Sequence, residues 1–264
     1  MTEGTRAGVQ ICPDPIFVVG CPRSGTSVLS HAIAAHSGNW LGPESDFMAS
    51  LIKGAKESHE IGTRRGEHHW LSGREVSFGE FLEYIGIGIN ALYTNRAGGL
   101  RWVEQTPQYT RRLPDLARMF PGMRAVHIVR SGRHVVHSMI HSGFDAAWAT
   151  DFERACTTWV RFVESGREFV GEQPDRAIEV RNEALRASPQ AELERIARFL
   201  GLELEESMAG MLGGDRKFNS SFKQKRSSWE ESWTDEQRAT FDRICGGLMA
   251  DLGYEADGEP SGSK

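Results

Sequence analysis

The chain has 264 residues, a formal net charge of −5 at pH 7 and a hydrophobic content of 39%. This length and composition suffice for one sizeable α/β core. The acidic balance excludes a global positive field, so we expect no nucleic-acid partner, and any site for an anion has to be built locally. We also expect no transmembrane segment, because the apolar runs are far shorter than the roughly 20 residues that span a bilayer.

Cysteine usage and the terminal segments predict a location and the limits of the domain. The four cysteines form no C-x-x-C pair, which favours free thiols in a reducing compartment. The first residues lack the basic and apolar segments of a secretory signal, so we predict a cytoplasmic protein. The composition predicts a flexible lead-in over residues 1–14, one domain over 15–256 and a disordered tail over 257–264.

Short β-rich runs alternate with helical patterns along the domain. The strand candidates are Ile16–Val19, Arg101–Glu104, Ala125–Val129 and Ala177–Val180. The helix candidates cover residues 25–36, 77 to about 93, 188–200 and 234 to about 252, each opened by a glycine turn, a capping residue or a proline. This alternation predicts a parallel sheet with helices on both faces, and such sheets bind ligands at the carboxyl ends of their strands.

The stretch GCPRSGTS follows the first strand candidate and has the glycine spacing of a phosphate-binding loop. Gly20 and Gly25 permit a tight turn, and the helix start beyond them offers backbone N–H groups to an oxyanion. Thr26 stands where a nucleoside triphosphatase has its lysine, so a magnesium-bound triphosphate is poorly served.

Arginine and hydroxyl side chains replace that lysine. Arg23 is a fork of donors that suits phosphate or sulfate oxygens without a metal. Hydroxyl groups add further donors at Ser24, Thr26 and Ser27. The alternative interpretation is that this stretch only begins a helix and that Arg23 is a surface charge.

A second strand candidate also runs into a helix, in RAVHIVRSGRHVVHSMI. Arg130 ends the strand, and Ser138 lies eight positions later on the helix. Both side chains can reach one phosphate beside the sheet. By spacing alone, a surface arginine and a helix-facing serine would be the favoured interpretation.

Together the two segments resemble the sulfotransferases that use 3′-phosphoadenosine 5′-phosphosulfate (PAPS) and release 3′-phosphoadenosine 5′-phosphate (PAP). Residues 23–27 resemble their 5′-phosphosulfate loop, and Arg130 and Ser138 match their 3′-phosphate pair. The chain most resembles the branch of tyrosylprotein sulfotransferases and their bacterial relatives, over residues 15 to about 254. The resemblance implies a single P-loop-like α/β domain that moves a sulfuryl group, without a metal, to a hydroxyl on a small molecule, sugar, lipid (glycolipids included) or peptide side chain.

The same resemblance implies a general base. Glu44, in LGPESDF, follows Arg23 by 21 residues, where the tyrosylprotein branch carries its catalytic glutamate. A base is wanted because the acceptor hydroxyl must lose its proton as it attacks sulfur. The competing interpretation is a loop carboxylate that caps the next helix. None of the histidines displaces Glu44 as the candidate, and none of them predicts a metal site.

Two positions near the expected site depart from the family pattern, and a late loop adds candidate contacts. Gln105 stands where many relatives have a lysine near the sulfate, so it brings a hydrogen-bond donor without charge. Arg181-Asn182 replaces a tyrosine that contacts the nucleotide elsewhere. The resemblance also implies that a loop over residues 217–233 closes on PAPS, with Ser221, Lys225 and Arg226 as candidate phosphate contacts. On composition alone, a solvated linker is the alternative interpretation of this segment.

Two other functions remain open on the residues. One is a nucleotide kinase or NTP-hydrolase with an atypical phosphate loop, which the missing lysine disfavours. The other is a module that binds the nucleotide without catalysis, which the loss of charge at Gln105 keeps open. The acceptor pocket is expected over residues 44–99 and 141–160, with aromatic candidates at Trp40, Phe47, Trp70, Phe78, Phe144 and Trp148.

Overall fold

A computed structural model describes residues 9–212 and 228–254. At its centre lies a parallel five-stranded sheet in the order β2-β3-β1-β4-β5. The strands are β1 Ile16–Gly20, β2 Asn39–Leu41, β3 Arg101–Glu104, β4 Arg124–Val129 and β5 Ala177–Arg181. The predicted parallel α/β fold is therefore confirmed.

Thirteen helices surround this sheet in the described part of the chain. They are α1 Thr26–Ala34, α2 Phe47–Thr63, α3 Trp70–Gly73, α4 Phe78–Arg96, α5 Leu113–Met119, α6 Gly132–Ile140, α7 Ala147–Thr150, α8 Phe152–Glu172, α9 Asn182–Ala187, α10 Pro189–Leu200, α11 Glu206–Gly210, α12 Trp229–Ser232 and α13 Asp235–Asp251. Two 3₁₀ turns lie at Gly66–His68 and Pro107–Arg112. No helix in residues 9–212 and 228–254 has both the length and the apolar content that crossing a membrane requires.

Helices cover both faces of the sheet because its side chains alternate between two apolar clusters. Phe17 and Val19 of β1 point to one face and pack with α4, α5 and α8. Ile16 and Val18 point to the other face and pack with α1, α9 and α10. Burial on both faces explains why β1 is a continuous apolar run, IFVV, rather than an alternating one.

The predicted strands and helices are confirmed, with small shifts at their ends. Capping explains several helix ends: the Ser77 side chain accepts from the backbone N–H of Glu80, and Thr234 forms a complete capping box with Gln237. Gly201, at φ 69°, ends α10 in the left-handed conformation. Strand β2 was not predicted from the sequence, because its three residues are too few to show a pattern.

The predicted lead-in includes a residue that packs on the domain. Cys12 is buried, and its backbone N–H donates to Asn90 Oδ1 at 2.9 Å and Thr94 Oγ1 at 2.8 Å. All four cysteines of the chain are free, as the sequence predicted, and all four are also buried. The division into lead-in, domain and tail stays a prediction.

Candidate functional site

A cleft of about 380 Å³ opens at the carboxyl ends of the central strands. It is lined by Pro22, Arg23, Gly25, Thr26, Ser27, Val28, Glu44, Pro107, Gln108, Arg130, Ser138, Phe144, Trp148, Asn182 and Arg186. The fold thus brings together the phosphate-binding loop, the second strand-helix segment and the candidate base. Together with Pro107 and Gln108 and the residues after β5, these groups make five separate stretches of sequence that meet in the cleft.

Glycine is required at both ends of the phosphate-binding loop. A Cβ on Gly20 would lie 2.5 Å from the carbonyl oxygen of Ile128, and one on Gly25 would lie 2.5 Å from Asn182 Nδ2. Gly25 has φ 106°, which side-chain-bearing residues rarely adopt. The loop therefore turns sharply into α1 and directs that helix's first N–H groups toward the cleft.

Arg23 joins the loop to the second segment. Its Nε donates to Ser138 Oγ at 3.1 Å, and its carbonyl oxygen accepts from Arg130 Nη1 at 3.3 Å. Arg23 has φ 73°, a sparsely populated conformation for a residue with a Cβ. Such a conformation persists only where the surroundings enforce it, and these two hydrogen bonds are part of what enforces it.

Arg130 lines the cleft and is half-buried. Burial lowers the pKa of its guanidinium, the neighbouring Arg186 and Arg23 lower it further, and Glu183 opposes the shift. Arginine stays charged nevertheless, because its ordinary pKa is so high. Trp159 Nε1 donates to the Arg130 carbonyl at 3.1 Å and holds the end of β4. The cost of confining this positive charge favours a bound anion.

The hydroxyl residues of the loop fall into two groups. Thr26 and Ser27 line the cleft at the start of α1. Ser24 does not line it: the residue is fully buried, its N–H donates to the Cys21 carbonyl at 3.0 Å, and its own carbonyl accepts from Asn182 Nδ2 at 3.0 Å. Ser24 Oγ has no hydrogen-bond partner within the described residues. Ser24 thus lies beneath the loop, whereas its neighbours face the cleft.

Glu44 lies on the loop between β2 and α2, exposed to solvent and facing the cleft. Partial burial raises the pKa of its carboxyl, and the negative charges of Asp46 and Glu104 raise it further. Glu44 does not cap the following helix, because the capping residue of α2 is Asp46 and the cap has no side-chain hydrogen bond. A carboxyl with a raised pKa in an anion-binding cleft is suited to take up a proton.

Gln105 does not line the cleft that holds Glu44 and the three arginines. It is buried and lines a second cavity, which it shares with Trp40 and Pro43, while Gln108 from the next turn lines the cleft. The sequence-based expectation that Gln105 reaches a sulfate oxygen therefore finds no support in the geometry.

Two of the six aromatic candidates for the acceptor pocket line the cleft. Phe144 and Trp148 line the cleft with their ring centroids 5.8 Å apart, and Phe144 lies 5.9 Å from the Arg23 guanidinium carbon. The others do not line it: Trp40, Phe47, Trp70 and Phe78. The cleft therefore has one aromatic wall, contributed by the segment after α6.

Sequence reasoning gave no role in the cleft to several of its residues, among them Asn182 and Arg186. Asn182 replaces the family's tyrosine and braces the loop through its bond to Ser24. Arg186, on α9, is exposed, lines the cleft and influences Arg130 electrostatically. Both follow β5, so their place just beyond the carboxyl end of a strand was the available signal.

Three predicted phosphate contacts, Ser221, Lys225 and Arg226, lie outside the described residues. Within the described ranges, 9–212 and 228–254, no group of three or more His, Cys, Asp or Glu side chains is placed to hold a metal ion.

Comparisons with known proteins bear on the family and the fold. The model described as the sulfotransferase family matches residues 15–206. The chain is 23% identical over 265 residues to protein-tyrosine sulfotransferase 1 of Danio rerio, covering 93% of this chain and 73% of the relative. It is 24% identical over 318 residues to the omega-hydroxy-beta-dihydromenaquinone-9 sulfotransferase Stf3 of Mycobacterium bovis, covering 96% and 78%. A mouse sulfotransferase solved in complex with PAP shares the fold, with a TM-score of 0.54 at 17% identity, covering 90% of this chain and 85% of that one.

Proposed function

The chain belongs to the sulfotransferase family, whose model matches residues 15–206, and we propose that its cleft transfers the sulfuryl group of PAPS to a hydroxyl acceptor. The observation that carries the proposal is the junction of Arg23, Ser138 and Arg130. These contacts unite two anion-binding segments in one cleft, as a nucleotide with phosphates at two positions requires.

The residues of the cleft fit such a donor. Arg23, the first N–H groups of α1 and the hydroxyls of Thr26 and Ser27 would hold the 5′-phosphosulfate. Arg130 and Ser138 would hold the 3′-phosphate, and Arg186 adds a third cation to the lining. Three arginines against one carboxylate, Glu44, make the described lining strongly favourable to an anion. The relative in complex with PAP supports this assignment.

Transfer would proceed in line. The acceptor oxygen forms a bond to sulfur while the bond between sulfur and the bridging phosphate oxygen breaks, and PAP leaves with that electron pair. Glu44 takes the acceptor's proton, and Arg23 and the α1 N–H groups stabilise the charge that develops on the leaving phosphate. Positioning and electrostatics supply the catalysis.

The acceptor is proposed to carry its hydroxyl on an apolar or aromatic body. Phe144 and Trp148 form a wall of the cleft that can pack on such a body. Two relatives point the same way, since their names give protein tyrosine and a menaquinone derivative as acceptors. Cytoplasmic location stays a prediction.

Calorimetric titration with PAP, adenosine 5′-phosphate and ATP, without metal, tests the proposal. We expect PAP to bind most tightly. Arg130→Ala should weaken PAP by about 10- to 100-fold, the scale of a hydrogen-bonded charge pair, and leave adenosine 5′-phosphate nearly unchanged. Arg198→Ala, an exposed arginine on α10, is the matched control.

Equal affinity for PAP and adenosine 5′-phosphate would overturn the proposal, and magnesium-dependent ATP hydrolysis would favour a kinase or hydrolase. Tight PAP binding without PAP release from PAPS, across a panel of phenols and alcohols, would favour a module without catalysis.

A further inference from the structure

A buried carboxylate lies under the loop that carries Glu44. Glu104, the last residue of β3, is only 2% exposed and accepts four hydrogen bonds. Its Oε1 accepts from the N–H of Gln105 at 3.0 Å and from both the N–H and the Oγ1 of Thr106, at 2.9 and 2.6 Å. Its Oε2 accepts from the Tyr93 hydroxyl at 3.0 Å. Such a group is held firmly in place.

Thr106 connects Glu104 to the loop that carries Glu44. Its Oγ1 donates to Glu104 and accepts from the backbone N–H of Ser45, the residue after Glu44, at 3.0 Å. The Ser45 hydroxyl in turn shares a hydrogen bond of 2.7 Å with the Tyr109 hydroxyl, which accepts from the N–H of Met48 at 3.0 Å. Three hydrogen bonds, made by the side chains of Thr106 and Tyr109, therefore tie the loop and the first turn of α2 to the segment after β3.

Apart from these contacts, the described residues give the loop one local hydrogen bond, from the N–H of Phe47 to the Ser45 carbonyl at 2.6 Å. The strand before it, β2, has three residues at the edge of the sheet. The cap of α2 lacks a side-chain hydrogen bond, and Asp46 there has φ 54°. A loop with so little local order needs an external anchor if its carboxyl is to meet a substrate at a defined distance.

We propose that Glu104 and Thr106 are positioning residues that fix the Glu44 loop and set the electrostatic environment of the Glu44 carboxyl. Thr106 holds the backbone beside Glu44, and Glu104 orients Thr106. Glu104 also places a negative charge near Glu44, which favours its protonated form and so makes it a better proton acceptor. This inference rests on the proposed role of Glu44 as the base.

The charged groups around Glu44 come from several elements. Asp46 of its own loop and Glu104 of β3 raise its pKa, while Arg23, Arg130 and Arg186 line the same cleft. Removing the negative charge of Glu104 should therefore lower the pKa of the Glu44 carboxyl, because one of the charges that disfavour its ionised form is then gone.

The first experiment measures that titration directly. Protein labelled with ¹³C at glutamate carboxyls is titrated by NMR, with Glu44→Gln used to assign the Glu44 signal. Glu104→Gln removes the charge, keeps an acceptor oxygen for the Gln105 and Thr106 contacts and offers an amide donor to the Tyr93 hydroxyl oxygen, so we expect the Glu44 midpoint to fall. Glu168→Gln, an exposed change on α8, should leave it in place. Superimposable curves for Glu104→Gln and the unchanged protein would overturn the electrostatic role.

The second experiment tests the link through Thr106 without altering charge. Thr106→Val removes the acceptor for the Ser45 N–H, and we expect amide hydrogen exchange at Ser45 to accelerate about tenfold, as the loss of one hydrogen bond would. Thr106→Ser retains the hydroxyl and should restore protection. Unchanged exchange at Ser45 in Thr106→Val would overturn the positioning role. This test does not depend on whether Glu104→Gln folds.

Neither measurement uses turnover, the donor or an acceptor. A PAP titration that shows no 3′-phosphate preference would thus overturn the proposed function, whereas these two results would still report on Glu104 and Thr106 alone.

Discussion

Two halves of the cleft are held in different ways. The proposed nucleotide half is built by the loop 20–27 and residues 130–138, and the proposed acceptor half is built by the loop 42–46 and the aromatic pair Phe144 and Trp148. In the nucleotide half, side chains bond to the backbone of neighbouring segments: Arg130 to Arg23, Asn182 to Ser24 and Trp159 to Arg130. In the acceptor half, Glu44 and Phe144 are exposed.

The two kinds of anchoring suit the two ligands that we propose for the halves. A donor that is the same in every turnover can be met by a preformed site. The proposed acceptor half is more open, and in our proposal its order is supplied from beneath by Glu104 and Thr106. Substitutions in the two halves should therefore separate binding of the nucleotide from chemistry at the acceptor.

The largest separation is expected for Glu44→Gln. Without the carboxylate the acceptor's proton has no receiver, so PAP release from PAPS should fall by about a hundredfold or more with 2-naphthol or 4-propylphenol as test acceptors. PAP affinity should be kept, because the change only removes a negative charge from an anion site. Glu60→Gln, an exposed change on α2, is the matched control. Turnover within severalfold of the unchanged protein would mean that another group takes the proton.

The next effect concerns the strand beneath the nucleotide half. Burial lowers the pKa of His127 to about 3, helped by the charges of Arg167 and Arg181, and neither ring nitrogen has a hydrogen-bond partner within the described residues. The unfolded chain takes up a proton there below about pH 6.5 and the folded chain does not, so stability is lost as the pH falls.

Chemical denaturation at pH 7 and pH 5 measures this loss. We expect His127 to contribute about 2 kcal/mol of the decrease between the two values, and His127→Leu should abolish that contribution even if it lowers stability at pH 7. His68→Gln, at an exposed position on the 3₁₀ turn, should leave the decrease as it is. An equal pH dependence in His127→Leu would show that the histidine is not buried neutral.

The two halves also differ in how much of them could be predicted from sequence. Gly20, Gly25, Arg23 and Arg130 were predictable because local backbone geometry and anion chemistry constrain residue types at fixed spacings. Glu44 was accessible only through the family resemblance. Glu104 was taken merely as a strand end, since the sequence does not show that its side chain turns back to accept from the N–H groups of Gln105 and Thr106 and from the Thr106 and Tyr93 hydroxyls.

Packing explains the remaining differences. Ser24 matched the loop pattern but turns into the core, because the chain around it bends at Arg23 and Gly25. Gln105 matched the family position, yet just after β3 it lines the second cavity, while Gln108 lines the cleft. Direction at a strand end depends on the turn that follows, which the sequence alone did not define.

A smaller effect is expected at Arg186, which lies at the rim of the nucleotide half. Because the side chain is exposed, solvent and salt screen its attraction for phosphate. Arg186→Ala should weaken PAP about fivefold in 50 mM salt and less in 500 mM salt, measured by calorimetry beside Arg198→Ala. A loss that is independent of salt would indicate a structural defect instead of a charge contact.

The smallest effect distinguishes the structure from the family pattern. Gln105 occupies the position of a lysine that relatives place near the sulfate, but here it is buried and lines the cavity with Trp40 and Pro43. Gln105→Met conserves its volume, and PAP and PAPS affinity should stay within about twofold, because no contact with the donor is lost. Gln108→Met, on the lining of the cleft, is the matched comparison and should raise the acceptor KM more than Gln105→Met does. A tenfold loss of PAPS affinity, without loss of PAP affinity, in Gln105→Met would place the amide against the sulfuryl group and show that the side chain turns into the cleft when the donor binds.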